Sequence, residues 1–446
     1  MSLRAPKGRS NLPSSRGDCF VALRAPRNDN RLVKDLAVVI LAAGKGTRMR
    51  SELPKALHTV CGEPMLGLVL RKAEALGAKK IIVVAGYGVG RVREFVGNRA
   101  RVVEQKKLLG SGHAVLQAAR ALSRWKGRVL VMYCDTPLVS TDTLSRILGN
   151  QRQTRDDCVL LSVNLDDPTE YGRIRKNSEG FVQKIIEEND ATPFEKAVRE
   201  INVGAYVFDS KKLFAALKWI LKNPKKKEYY LTDAIEILAQ SGKVAAVLTE
   251  NPREALGVNS LADLAGIEQI MQKNILEEWA RKGVRIRDPR TTTIDANVTI
   301  GSGTVVFPST VIEGNTRIGK NCRIGPFARI RGASQIGNGV VIGNFVEVVR
   351  SRIGDNAQVK HLSYVGDAVV GQSVNIGAGT ITANFDGKQK YKTIIKDKAQ
   401  IGSGTILVAP VTVGRAAKTG AGAVVTKGKN VPDRGIVVGV PARSIG

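Results

Sequence analysis

The sequence predicts an α/β, Rossmann-like domain followed by a parallel β-helix of hexapeptide repeats. Three observations carry this. Apolar runs of strand length alternate with segments of helical spacing through the first half of the 446 residues, the pattern of a parallel sheet covered by helices. A glycine-rich stretch, LAAGKGTRM at 41–49, closes the first of those runs. In the second half an aliphatic side chain returns at every sixth position, the period of a parallel β-helix.

Residues 1–34 carry eight Lys or Arg, two Asp and three Pro without periodicity. They read as a basic disordered tail or a mis-called start. From Leu36, the runs LAVVIL, KIIVVAG and RVLVMYC read as buried strands, with PMLGLVLRKAEALG and GHAVLQAARAL as helices between them. Ligands of such sheets bind beyond the carboxyl ends of the strands. Both the 41–49 loop and Asp135, in VMYCDTPL, lie at such ends. Glycines let backbone N–H groups close on an anion, and Lys45 and Arg48 add charge of the matching sign. A phosphate chain is the first candidate. Asp135, taken alone, reads as a cap after a strand.

Residues 260–283 read as one long helix connecting two domains, 35–259 and 284–446. Ser260 caps it, Asp263 completes a capping box, and Gly283 ends it. Leu261, Leu264, Ile267, Met271, Ile275 and Trp279 form an apolar stripe for packing. Beyond it, Ile294, Ile300, Val306, Ile312, Ile318, Ile324, Ile330, Ile336, Ile342 and Val348 fall every sixth residue. The period returns at Ile353, Val359 and Val365, and again at Ile395, Ile401, Leu407, Val413 and Val425. Each unit makes one flat side of a triangular coil, its aliphatic residue pointing inward and a small residue taking the corner. The insertion TANFDGKQKYKT (382–393) breaks the period, and we expect a ligand lid or an intersubunit arm there.

Composition narrows the function classes. Apolar content of 43% and charged content of 24% fit a soluble globular protein. The 69 Lys and Arg against 40 Asp and Glu give a formal net charge of +29, a field that attracts anions of any kind. These charges are interleaved with acids and accompany no nucleic-acid-binding motif, so no nucleic-acid partner is expected. The five cysteines, Cys19, Cys61, Cys134, Cys158 and Cys322, are scattered without a CxxC. That argues for a reducing cytosol and against a disulfide frame or zinc site. No apolar stretch approaches the ~20 residues of a membrane span.

At this point LAAGKGTRM, LPKALH and the hexapeptide solenoid together resemble the bacterial bifunctional GlmU family. Its members act as N-acetylglucosamine-1-phosphate uridylyltransferase and glucosamine-1-phosphate acetyltransferase. GSGHA, YGRI, EINVGAYVF, EYYLTD, HLSYVGDA, NIGAGTITANFDG and APVTVG add to the resemblance, which runs from about residue 36 to the end. It implies a nucleotidyltransferase domain followed by a left-handed parallel β-helix, in a cytoplasmic homotrimer. It also implies Mg²⁺-dependent attack of a sugar 1-phosphate on the α-phosphorus of UTP, releasing pyrophosphate. By the same resemblance Arg48 and Lys55 neutralise the phosphates, and Leu41, Ala42, Ala43 and Gly44 supply backbone contacts. Gln105, Gly110 and Ser111 then read uracil, Gly172, Glu187 and Asn202 hold the N-acetylglucosamine moiety, and Asp135 and Asn259 hold the metal.

The second reaction the resemblance implies is acetyl transfer from acetyl-CoA to the 2-amine of glucosamine 1-phosphate. A neutral amine must attack the thioester, a task that suits a histidine base. Of His58, His113 and His361, the last matches the family's general base. His113 is expected to cap or pack near the nucleotide loop, and His58 to be structural. Arg331, Tyr364, Asn375, Asn384 and Lys390 match positions that contact the aminosugar phosphate. Ala378, Ser403 and Ala421 match positions lining acetyl-CoA. Four residues depart from the family pattern. Cys134 stands where a glycine is usual, and Leu108 where a glutamine helps hold the base. Val349 replaces a phosphate-binding lysine, and Gly439 an arginine near acetyl-CoA. Arg350, next to Val349, is a candidate substitute for the lost lysine, but as its neighbour on a flat strand it is expected to point the other way. Two alternative readings remain: nucleotidyl transfer alone with the β-helix as a trimerising scaffold, or a non-catalytic interaction platform.

Overall fold

The computed structural model describes residues 35–220 and 228–445. The expected basic tail, 1–34, lies outside the described residues. Seven strands make the main path of the first sheet: β1 (Leu36–Ala42), β2 (Lys80–Ala85), β3 (Arg101–Glu104), β4 (Arg128–Tyr133), β5 (Cys158–Asn164), β6 (Glu200–Asp209) and β7 (Val244–Thr249). Their order is β7-β5-β6-β4-β1-β2-β3. Successive residues of β1 face opposite ways. Val38 and Ile40 join one buried cluster with Leu66 and Leu70, whereas Ala37, Val39 and Leu41 join another with Leu213 and Leu231. The two-residue period of a strand thus builds a core on each face.

The sheet differs from the expectation of a parallel one. β1 runs parallel to β2 and β4, but β6 runs antiparallel to both β4 and β5. The reason is connectivity. Between β5 and β6 the chain forms a two-stranded ribbon, Arg173–Lys176 with Val182–Ile186, and no crossover helix of the length a parallel return needs. The predicted helices are α1 (Met65–Ala75) and α3 (Ser111–Gln117), with α2 (Val89–Val96) between them. α3 is shorter than its sequence pattern, because residues 118–125 continue as tight turns. α4 (Thr141–Thr154), α5 (Ser210–Ile220) and α6 (Leu231–Ser241) complete the layers.

α7 (Leu261–Arg281) follows, and the Ser260–Asp263 capping box forms as expected. Its apolar stripe bridges two cores. Leu264, Ile267 and Met271 pack with Met49, Val60 and Val258, whereas Leu276 and Trp279 pack on the second domain. Leu261 is the exception: it is exposed at the first turn. Gln272 bonds both the N–H and the carbonyl of Ile294, tying the helix to the first coil.

The second domain is a three-sided parallel β-helix, with one ladder of parallel strands per side. The inward column is buried throughout, from Ile294 to Val437. Ile294 pairs with Ile312 and Ile312 with Ile330, a coil of 18 residues. The apparent slip after Val348 is a side one residue short: Ile336 pairs with Ile353, and Ile353 with Val370, each 17 residues on. The 382–393 insertion lengthens one coil to 25, pairing Val370 with Ile395. The inward positions Val370, Ile376, Val431 and Val437 escaped the simple period, yet they too are buried.

Candidate active sites

The first site is assembled at the carboxyl ends of β1 and β4. After β1 the chain turns through Gly46, in the left-handed region at φ +65°, into a short turn of 3-10 helix at Thr47–Met49. Leu41, Ala42, Ala43, Gly44, Lys55, Gln105, Gly110, Ser111 and Asp135 all line one cavity of about 290 Å³. Cys134 and Leu108, the two departures, line it as well, as does Glu228. At its floor the Lys55 ammonium lies 2.6 Å from Asp135 Oδ2 and 3.0 Å from Asn259 Oδ1. Three residues far apart in sequence therefore converge. Asn259 is held because Asp263, in the capping box of α7, accepts its backbone N–H at 2.9 Å.

Gln105 is buried, and its amide N–H₂ donates to the Gly110 carbonyl at 3.0 Å and to His113 Nδ1 at 2.9 Å. Burial lowers the His113 pKa, favouring the neutral ring that accepts this bond. The Gln105 carbonyl oxygen is then the group left to accept an N–H such as that of uracil. Gly110, at φ +101°, passes so close to Tyr229 that a Cβ would lie 2.6 Å from its carbonyl oxygen. Ser111 Oγ accepts the Leu231 N–H at 2.9 Å, locking α3 to α6.

Gly172, Glu187 and Asn202 form an adjoining group. The Asn202 N–H donates to the Gly172 carbonyl at 2.9 Å, and a Cβ on Gly172 would lie 3.5 Å from Glu187 Oε2. Thr232 donates to Glu187 at 2.8 Å, while the adjacent Glu188 is engaged by Arg173 and Lys196. Arg48 is exposed and does not line the cavity. His58 is buried, and its N–H closes the turn that carries Lys55. A further cavity of about 810 Å³, between α7 and the first coils, contains none of these residues.

The second site lies along the β-helix. His361 is exposed, and its Nδ1 lies 3.0 Å from Asn344 Oδ1, one coil earlier in register. Ala378, Ser403 and Ala421 continue the same column, each two residues beyond an inward position as His361 is. The corner beside this column changes character. It carries Phe327, Phe345 and Leu362, then Gly379, Gly404 and Gly422, all in the left-handed region. Bulky side chains give way to a bare backbone track at the coil after His361. Asn375 stands on the same side as His361, in register with Gln358 of the coil before.

On the next side, Arg331 pairs with Glu347 at 2.7 Å, and Glu347 lies in register with Tyr364. At the following corner, Arg350 makes a bidentate pair with Asp367, both contacts 2.7 Å, and Asp367 also accepts from Asn384. Arg350 does not lie on the flat strand expected of it, which ends at Val349. It occupies a corner at φ +47° rather than a flat strand, so strand alternation does not govern it. Val349 is buried. Lys390, in the insertion, acts electrostatically on Asp367. Sequence reasoning missed Asn344 and Asp367. Each stands 17 residues, one coil, from a residue already singled out, His361 and Arg350.

A nucleotide-sized cleft beside a cation held by two oxygens, joined to a hexapeptide coil with an exposed histidine, defines a two-domain transferase. Residues 38–229 match the MobA-like NTP transferase domain, and 297–332 and 315–350 match the bacterial transferase hexapeptide (six repeats). The Bifunctional protein GlmU of Pelotomaculum thermopropionicum is 46% identical over 411 residues, covering 84% of this chain and 90% of that protein. Those of Halalkalibacterium halodurans and Geobacillus thermodenitrificans are each 43% identical, covering 87% and 92% of this chain and 93% and 96% of theirs. The chain belongs to the bifunctional GlmU family, and its fold is the α/β nucleotidyltransferase domain with a left-handed β-helix.

Proposed function

We propose that this chain makes UDP-N-acetylglucosamine in two steps, at the two sites described. The β-helix acetylates glucosamine 1-phosphate from acetyl-CoA, and the α/β domain joins the product to UTP with release of pyrophosphate. The domains are 35–259 and 284–446, with 260–283 between them. The observation that carries the reading is the convergence of Lys55, Asp135 and Asn259 beneath the glycine-rich loop, in the same chain as the stacked Asn344–His361 pair.

In the first reaction two anions must meet, so the site's task is to neutralise charge and hold reactants in line. Lys55, tethered to Asp135, is positioned for a phosphate oxygen. Arg48 stands at the rim, reached by an incoming triphosphate. Gln105 offers its carbonyl to the uracil N–H, and Glu187 and Asn202 offer polar atoms to the sugar. Asp135 and Asn259 fit Mg²⁺: both present hard oxygens, and they already converge on one cation, the Lys55 ammonium. When bound there, Mg²⁺ supplies charge stabilisation at the phosphates. Among the described residues no group of three or more His, Cys, Asp and Glu gathers as a metal cage, which accords with an ion held largely by substrate.

In the second reaction His361 removes the proton of the attacking amine, and Asn344 at its Nδ1 fixes the ring. Arg331, Tyr364, Asn375, Asn384 and Lys390 surround the aminosugar phosphate. The small residues Ala378, Ser403 and Ala421, beside the glycine track, leave room for acetyl-CoA. The family resemblance points to a cleft completed by another copy of the chain, in a trimer. Phe327 and Phe345, 51% and 55% exposed, stack with ring centroids 5.1 Å apart, an apolar ridge suited to that contact. No helix among the described residues is long and apolar enough to cross a membrane. The likeness to the GlmU relatives is what places the chain in the cytoplasm in this reading.

The test supplies glucosamine 1-phosphate, acetyl-CoA, UTP and Mg²⁺ and follows thiol and pyrophosphate release separately. Both signals are expected. Pyrophosphate alone, and only from N-acetylated sugar phosphate, would leave the β-helix as a scaffold; neither signal would leave an interaction platform.

A further inference from the structure

Resting on the acetyl-transfer reading above, we propose that Arg350, aimed by Asp367, is a further residue that binds the phosphate of the aminosugar substrate. The two preceding coils carry glycine at this corner, Gly314 at φ +68° and Gly332 at φ +71°. Glycine is what a left-handed corner prefers. Arg350 and Asp367 instead occupy it at φ +47° each. Left-handed corners of this β-helix take side chains elsewhere, as at Asn321, Phe345 and Leu362, and at this corner two successive coils present a cation and its carboxylate. Gly332 supports the arrangement, since a Cβ on it would lie 2.8 Å from Arg350 Cγ.

The pair is also oriented. Arg350 Nε and Nη2 each reach an Asp367 oxygen at 2.7 Å, and the Asn384 amide fixes the second of those oxygens. A guanidinium has five N–H donors in a rigid fork, so two bonds to Asp367 leave others for phosphate oxygens. Its side chain is 36% exposed, open to a ligand. Tyr364 leans the same way, as a Cβ on Gly366 would lie 2.5 Å from its hydroxyl. Arg331, joined to Glu347 by one contact on the side before this corner, is the other guanidinium placed near the same phosphate. The phosphates of acetyl-CoA are a second source of the same chemistry. The Ala378–Ser403–Ala421 column runs along a different corner, however, which favours the sugar phosphate.

The test uses the full-length chain with Arg350→Gly, a residue that fits the left-handed corner, and Arg350→Lys. Calorimetry reads the Kd for glucosamine 1-phosphate, and thiol release gives KM for both substrates. Arg350→Gly is expected to weaken glucosamine 1-phosphate binding about 10- to 100-fold, the range of a lost charge-assisted contact. KM for acetyl-CoA and pyrophosphate release stay within twofold of wild type, and Arg350→Lys recovers part of the loss. Arg350→Asn, which also tolerates the left-handed region, replaces the glycine variant should that coil loosen on melting. Unchanged sugar-phosphate affinity overturns the proposal. So does a rise in KM confined to acetyl-CoA, which assigns Arg350 to that ligand. A wild-type chain that binds glucosamine 1-phosphate but releases no thiol overturns the acetyl-transfer reading while calorimetry still decides Arg350. A wild-type chain that does not bind it overturns both.

Discussion

Lys55 illustrates how much one side chain depends on three distant segments. Its ammonium is fixed by Asp135 after β4 and by Asn259 before α7. Asp135→Ala is expected to lower pyrophosphate release at least 10²-fold and to leave thiol release intact. His361→Ala is expected to do the reverse, with a loss of 10²- to 10⁴-fold. Loss of both activities in either variant, in protein that still melts cooperatively, would contradict separate sites. A second lysine, half-buried, makes a pH prediction. Lys72, on α1, donates to the Pro137 carbonyl just beyond Asp135, and burial lowers its pKa to about 8 from 10.5. Between those two values the unfolded chain holds a proton that the folded chain has released, so stability rises with pH across that window. Below about 8 both states are protonated, and the folded state bears the full cost of the buried charge. Wild-type stability relative to Lys72→Met should therefore climb from pH 8 to pH 10.5, by at most about 3 kcal/mol. Chemical denaturation at a series of pH values measures it, and a flat difference would contradict the depressed pKa.

At the scale of the element, the glycine-rich turns matter more for what approaches them than for freedom alone. Gly110 lets α3 start against the Tyr229 backbone. Gly110→Ala should raise KM for UTP about tenfold and lower the melting temperature of the α/β domain by several degrees, without changing thiol release. The hexapeptide period was legible because the inward side chain repeats wherever the coil repeats. The two sides one residue short were not, since a spacing of 17 is visible only when Ile336 is seen stacked on Ile353. The antiparallel β6 escaped for a similar reason. Its apolar run looks like that of a parallel strand, and strand direction is set by the connection before it. Arg350 was misjudged because two-residue alternation holds along a strand and fails at a left-handed corner.

For the whole molecule, α7 joins two cores that perform separate reactions. The ridge of Phe327, Phe345 and Leu362 lies on the same corner as the glycine track. Phe327→Glu is therefore expected to convert the proposed trimer to smaller species in sedimentation, with thiol release falling as it does and pyrophosphate release persisting. A variant that stays trimeric would place the subunit contact elsewhere. The sequence by itself determined the class of each half, the capped helix between them, and the glycine-rich loop with its following lysine. These are local patterns, written in the spacing of neighbouring residues. Only the tertiary structure decided that Lys55 lies between Asp135 and Asn259, that Gln105 spends its amide on Gly110 and His113, and that Asn344 holds His361. Those contacts join residues brought together by sheet order and coil stacking, and chain separation carries no record of such proximity.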